Sequence, residues 1–249
     1  MVMSEAINRN VESNNFFICN EESEFFSLCI DYLVLKDSGF KNILEYGSGD
    51  GTPVLNALSS SGFKGRITGF EINPYAYRRA FFNIIQSGEQ KRYTVNKGCF
   101  FNTFKKNNKE KCIIANPPYV PAPEKEKLIL PYLWGGGDGS DILKRLFDFG
   151  TMGVMVLIPS ISNPEAVINY GQKKGYNAVQ FLKTTIPFGT YTSQVYVQNH
   201  LKKLQDEKKS YFNKNHYNLC GALFLKNMKD VSRTKTLIAA LKCEHNETQ

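Results

Sequence analysis

The residues best equipped for chemistry stand at the end of a short apolar run. Lys111, Cys112, Ile113, Ile114 and Ala115 lead into Asn116, Pro117, Pro118 and Tyr119. The carboxamide oxygen of Asn116 and the backbone carbonyl of Pro117 are two acceptors on adjacent residues. Together they can take both hydrogens of a planar NH2 group. Tyr119 adds a flat aromatic face on which such a group can stack. A nitrogen held this way has its lone pair turned out of conjugation and toward an electrophile. The ordinary alternative is a proline-rich loop with a capping Asn and a packed Tyr, so the rest of the chain has to decide.

Positioning such a group takes a strand that stops at the rim of a sheet. Cys112 to Ala115 is short, apolar and partly β-branched, as a strand buried on both faces should be. The prolines cannot donate to a ladder and fix φ, which ends the strand and stiffens the turn after it. The same rhythm runs through the chain. Strands are expected at 42–46, 66–71, 92–97, 111–115, 153–158, 178–188 and 217–226. Helices are expected at 21–37, 52–60, 74–86, 138–149 and 164–174, with Pro74 suited to a first turn and Ser140 or Asp141 suited to cap the fourth. Alternation of this kind predicts a doubly wound, mostly parallel seven-stranded sheet with helices on both faces. A polar, charge-rich insert, 191–215, separates the last two strands and has helical potential over 200–209. Its place predicts a position near the sheet edge, as a cover for substrate. The expected organisation is a polar tail and packing helix (1–40), a main domain (41–228) and a basic C-terminal tail (229–249).

A second candidate site comes after the first strand: Glu45, Tyr46, Gly47, Ser48, Gly49, Asp50 and Gly51. Glycines at alternate positions allow a tight turn and a close approach of backbone N–H groups to a ligand. The spacing is GxGxG, which does not meet the pyrophosphate fingerprint GxGxxG. It suits a ligand without phosphates, although a plain glycine turn also fits. The second strand ends in Glu71, where an acid in a doubly wound fold can accept both ribose hydroxyl hydrogens. Together the two features call for a nucleoside-bearing ligand. Ile72 beside Glu71, and Cys99 with Phe100 after the third strand, complete the expected cofactor contacts.

Composition narrows the classes. The 249 residues carry a formal net charge of +8 and are 42% hydrophobic, enough for a core and compatible with an anionic partner. No apolar run approaches the length of a membrane span, and the N-terminus lacks the pattern of a signal peptide. A cytoplasmic protein is expected. Six cysteines form no CxxC, and the three histidines fall late in the chain, so no metal-ligand spacing is present. No Ser-His-Asp or Cys-His arrangement is legible. The expected chemistry needs little acid–base machinery.

Glu45 to Gly51, Glu71 and Asn116 to Tyr119, in this order, resemble the class I methyltransferases that use S-adenosylmethionine. The Asn-Pro-Pro-Tyr form is similar to that of the amino-group subset, which methylates glutamine amides or exocyclic base amines. Gly135, Gly136, Gly137, Asp138, Gly139, Ser140 and Asp141, with Arg145, resemble the glycine-rich segment of the release-factor glutamine methyltransferase branch. The resemblance implies a Rossmann-like fold and S-adenosylmethionine as cofactor. It implies Asn116, Pro117 and Tyr119 as catalytic residues, and Glu45, Gly47, Ser48, Gly49, Gly51, Glu71, Ile72, Cys99, Phe100 and Asn116 around the cofactor. Cys99 stands where many relatives place an acid, and the insert and tail fall outside the family pattern. The acceptor stays open at this stage: a protein glutamine, a small metabolite, or an RNA or DNA adenine. A non-catalytic scaffold that binds S-adenosylmethionine or RNA is the alternative of another class.

Overall fold

The alternating pattern resolves, in a computed structural model of the chain, into seven strands with helices between them. The structure describes residues 19–36, 39–103 and 111–242. The expectations for the tail before residue 19, for Asp37 and Ser38 as helix stops, and for the end after Lys242 lie outside the described residues. Two compact units divide the chain, Met1–Lys105 and Lys106–Gln249.

In the first unit, helix α1 (Asn20–Cys29) runs on into a π-helical stretch, Ile30–Leu35. Strands β1 (Asn42–Tyr46), β2 (Arg66–Glu71) and β3 (Tyr93–Lys97) pair in parallel, in the order β3-β2-β1. Helix α2 (Thr52–Ser60) follows β1, α3 (Pro74–Ser87) follows β2, and a single turn, α4 (Phe100–Thr103), follows β3. Each start has a local cause. Asp50 Oδ1 accepts from Thr52 N (3.0 Å) at the head of α2. Asn73 Oδ1 accepts from Tyr75 N (2.9 Å) and Ala76 N (3.3 Å), with Pro74 in the first turn of α3.

In the second unit, β4 (Cys112–Ala115) and β5 (Gly153–Pro159) pair in parallel, and every residue of both is buried. Strands β6 (Tyr176–Pro187) and β7 (His216–Lys226) complete the order β4-β5-β7-β6, and β7 runs antiparallel to both neighbours. The sheet is therefore mixed. Helices α5 (Asp141–Leu146), α6 (Pro164–Lys173) and α8 (Ser232–Lys242) accompany these strands, and α7 (Val195–Asp206) lies in the insert between β6 and β7.

Several bounds shift by a residue or two, and two helix starts move further. The helix expected from Asp138 begins at Asp141 and ends in a 3-10 turn, Phe147–Phe149. Gly139, at φ +80°, keeps the preceding residues in a turn. Ser140 makes no side-chain cap; its hydroxyl goes back to Asp138. The insert helix begins at Val195, five residues before the expected start.

Candidate functional site

The residues expected around a cofactor lie in the first unit. At the end of β1 the chain passes through Gly47 (φ +68°) and Gly49 (φ +56°), and a Cβ built on either would meet nothing within 4 Å. That open space beside a left-handed backbone is room a ligand can fill. The amide hydrogens are used differently from the expectation. Gly47 N and Ser48 N donate to Phe70 O (3.0 and 3.2 Å), Gly51 N to Ser48 O (2.9 Å), and Gly49 N to Glu71 Oε2 (2.8 Å). With those four donors engaged inside the protein, the loop is poorly suited to phosphate.

Glu71 sits where β2 ends. Its Oε1 accepts from Asn73 N (2.7 Å) while Oε2 holds Gly49 N, so one carboxylate ties the glycine loop to the turn before α3. The acceptor capacity left on this carboxylate suits a ligand hydroxyl. Burial pushes this carboxyl above its ordinary value, and the amides of Asn73, Gly49 and Ile72 oppose that rise. Ile72 is 70% exposed beside it, apolar surface on which a planar group can lie.

Glu45 and Ser48 face inward. Both are buried, and a Cβ on Gly69 would lie 2.1 Å from Ser48 Oγ and 2.8 Å from Glu45 Oε2. Tyr93 donates its hydroxyl to Glu45 Oε2 at 2.6 Å. Burial raises the Glu45 carboxyl to about 7, against the opposing hydrogen bond from Tyr93. The same burial, with the Glu45 charge, pushes the Tyr93 phenol well above its usual value. These side chains support the loop from beneath: a Cβ on Gly51 would stand 3.3 Å from the Tyr93 ring. Phe100 is buried too, edge-on to Tyr46 and Phe70 with centroids at 5.6 Å in each case. Cys99 is half-buried. The neighbouring Phe101, which sequence reasoning passed over, is half-buried and tilted against Tyr46 at 5.3 Å. Tyr93 was missed as well.

The residues expected to hold the acceptor lie in the second unit. Asn116 is half-buried at the end of β4, and Pro117 is buried. Tyr119 is 6% exposed, its ring edge-on to Tyr217 and its hydroxyl 2.8 Å from that of Tyr217. Its carbonyl accepts from Ser162 Oγ at 2.8 Å. The glycine-rich segment packs onto the same residue. A Cβ on Gly135 would come within 2.6 Å of Tyr119 Cα, and one on Gly139 within 2.5 Å of Tyr119 O. No side chain fits at either place. Asp138 locks the segment: its Oδ1 accepts from Ser140 N (3.1 Å) and its Oδ2 from Asn163 Nδ2 (2.6 Å). Burial works against the Asp138 charge, but the Ser140 and Asn163 donors outweigh it and hold the carboxyl below its usual value. Among the described residues no group of three or more His, Cys, Asp or Glu could hold a metal ion, and no helix is long and apolar enough to cross a membrane.

Comparison with known proteins complements this geometry. No protein-family model matches the chain. A Methanocaldococcus jannaschii protein, named provisionally as a protein N5-glutamine methyltransferase, is 32% identical over 165 residues, 62% of this chain and 80% of its own length. A Pyrococcus horikoshii structure, named provisionally as an RNA methyltransferase, aligns with a TM-score of 0.53 and 16% identity, over 83% of this chain and 84% of its own. The E. cuniculi Mtq2-Trm112 complex, responsible for methylating the eRF1 translation termination factor, aligns with a TM-score of 0.50 and 13% identity, over 86% of this chain and 99% of the other. At these identities the two structures speak for the fold alone.

Proposed function

The chain belongs to the class I S-adenosylmethionine-dependent methyltransferases, and from that premise we propose that it methylates the side-chain amide nitrogen of a protein glutamine. The observation that carries the choice of acceptor is the burial of Tyr119. At 6% exposure, with its hydroxyl engaged by Tyr217, this ring is a poor stacking platform for a nucleobase, which recognition of an extruded base usually requires. A glutamine amide is small and flat and asks mainly for two acceptors. The glutamine methyltransferase name of the 32% identical relative supports the same choice.

The bound cofactor supplies an electrophilic methyl group on a sulfonium sulfur. Glu71 would hold the ribose with its remaining acceptor capacity, Ile72 would offer an apolar surface to the base, and the open backbone at Gly47 and Gly49 would make room for the methionine part. In the second unit, Asn116 Oδ1 and the Pro117 carbonyl hold the two amide hydrogens of the acceptor. Held this way, the acceptor nitrogen would keep its lone pair free to take the methyl group that the cofactor supplies, and its surplus proton would leave to water. Both acceptors bind more strongly as positive charge grows on nitrogen, so they favour the transition state over the ground state. Orienting two bound reactants can itself supply about 7 to 11 kcal/mol.

Incubation with labelled S-adenosylmethionine and glutamine-containing peptides, followed by mass spectrometry of the digested product, tests the reading. N5-methylglutamine is expected from the wild type, and turnover should vanish in Asn116→Ala while cofactor affinity stays within about twofold. Label carried instead by an RNA adenine or a small amine would sink the glutamine assignment.

A further inference from the structure

The insert between β6 and β7 reaches the stretch just beyond the acceptor motif, and it does so through side chains that bind backbone. Tyr196 Oη accepts from Glu124 N (3.0 Å), Gln194 Oε1 accepts from Ile129 N (3.0 Å), and His200 Nε2 meets Gly137 O at 2.6 Å. A carbonyl only accepts, so His200 Nε2 carries the proton in that contact. The stretch is also continuous with the motif. Val120 N donates to Leu133 O, Gly135 N donates to Val120 O, and Val120 bridges to Trp134. Residues 124–137 are thereby fixed with Leu128 buried, while the side chains of Ile129 and Tyr132 stay uncovered. Ile129 is 60% exposed and Tyr132 41%, and Val195, next to the Gln194 that holds Ile129, is 76% exposed.

We propose, resting on the glutamine reading above, that α7 and residues 124–137 form one peptide-reading edge, on which Ile129, Tyr132 and Val195 receive an apolar side chain flanking the acceptor glutamine. Three observations favour a peptide as occupant. The edge continues from Tyr119. Its backbone is set in advance, which spares the ordering cost of binding. The charges beside it alternate, Glu124, Lys125, Glu126 and Lys127, with Lys127 already paired to Glu124 at 2.6 Å, a poor match for a phosphate backbone.

The test uses two fluorescein-labelled peptides, one glutamine flanked by leucines and its counterpart flanked by serines, with anisotropy as readout. The full chain should bind the leucine peptide roughly tenfold more tightly, the return for covering one aliphatic side chain. Ile129→Ser and Val195→Ser, both at exposed positions, should each erase most of that preference and leave calorimetric affinity for S-adenosylmethionine unchanged. Equal affinity of the wild type for the two peptides, or a preference that survives both substitutions, overturns the proposal. Methyl transfer separates it from the reading on which it rests. A leucine preference abolished by the serine variants, without N5-methylglutamine, leaves the edge standing and removes the glutamine assignment. Methylation of both peptides with the same KM does the reverse.

Discussion

Replacing Glu45 by Gln should stabilise the protein above neutral pH and leave it little changed in acid. The folded protein holds the Glu45 proton up to about pH 7, whereas the ordinary value for this group is 4.5. Between those values the native state binds more protons than the unfolded chain, so the Glu45 contribution is complete below pH 4.5 and is lost as pH rises through 7. Each pH unit in that window is worth about 1.4 kcal/mol, so ionisation of Glu45 costs the fold about 3 kcal/mol by pH 8. Glutamine mimics the protonated acid: its amide oxygen can accept from Tyr93, whose hydroxyl lies 2.6 Å from the carboxylate, and its NH2 group has Ser48 beside it. Urea unfolding of both proteins from pH 4 to pH 8 measures the effect. The gap between their stabilities should stay flat below pH 4.5, open with rising pH and level off near 8. Titrating groups remote from Glu45 contribute equally to both proteins and cancel in the difference. Parallel stability curves across the whole range would refute the reasoning, because they would mean that Glu45 titrates in the fold at its ordinary value.

The other predictions concern the two places where chemistry is expected. Glu71→Ala removes the carboxylate that holds Gly49 N and Asn73 N, and calorimetry should show a loss of at least about thirtyfold in S-adenosylmethionine affinity, roughly 2 kcal/mol. Affinity within threefold of wild type would remove Glu71 from the cofactor site. Gly139→Ala puts a Cβ within 2.5 Å of Tyr119 O at a φ of +80°. Displacement of the motif should lower kcat more than tenfold, with cofactor affinity preserved; an unchanged kcat would show that the segment does not position Tyr119.

Much of this architecture was legible because the cues are local. The bounds of β1 and β2 follow from apolar runs closed by Gly47 and by Glu71, and the start of α3 from Pro74. Glu71 could be placed at the end of β2 because its position depends only on the end of its own strand. Tyr93 could not be singled out. It stands among Arg92, Thr94 and Asn96 like an edge residue, and its bond to Glu45 spans 48 positions. The inward turn of Glu45 and Ser48 is equally a tertiary matter, set by the absence of a side chain at Gly69. In the same way Gln194, Tyr196 and His200 read as ordinary polar residues of a helix, since their partners are backbone atoms some sixty to seventy positions earlier. The early start of α7 at Val195 escaped notice because Tyr191, Thr192 and Ser193 look like a continuing loop.

The insert leaves and rejoins the sheet at facing positions. Pro187 is opposite His216 in the β6–β7 register, and Phe188 N donates to Asn215 O at 2.9 Å. Its two ends are thus one strand spacing apart, the separation that a short hairpin turn spans. Chain can be lengthened, shortened or exchanged there at little entropic cost, without altering the path of either strand. The insert behaves in this sense as an interchangeable cassette, and a methyltransferase sheet carrying such a cassette can acquire a new clientele by changing one connection.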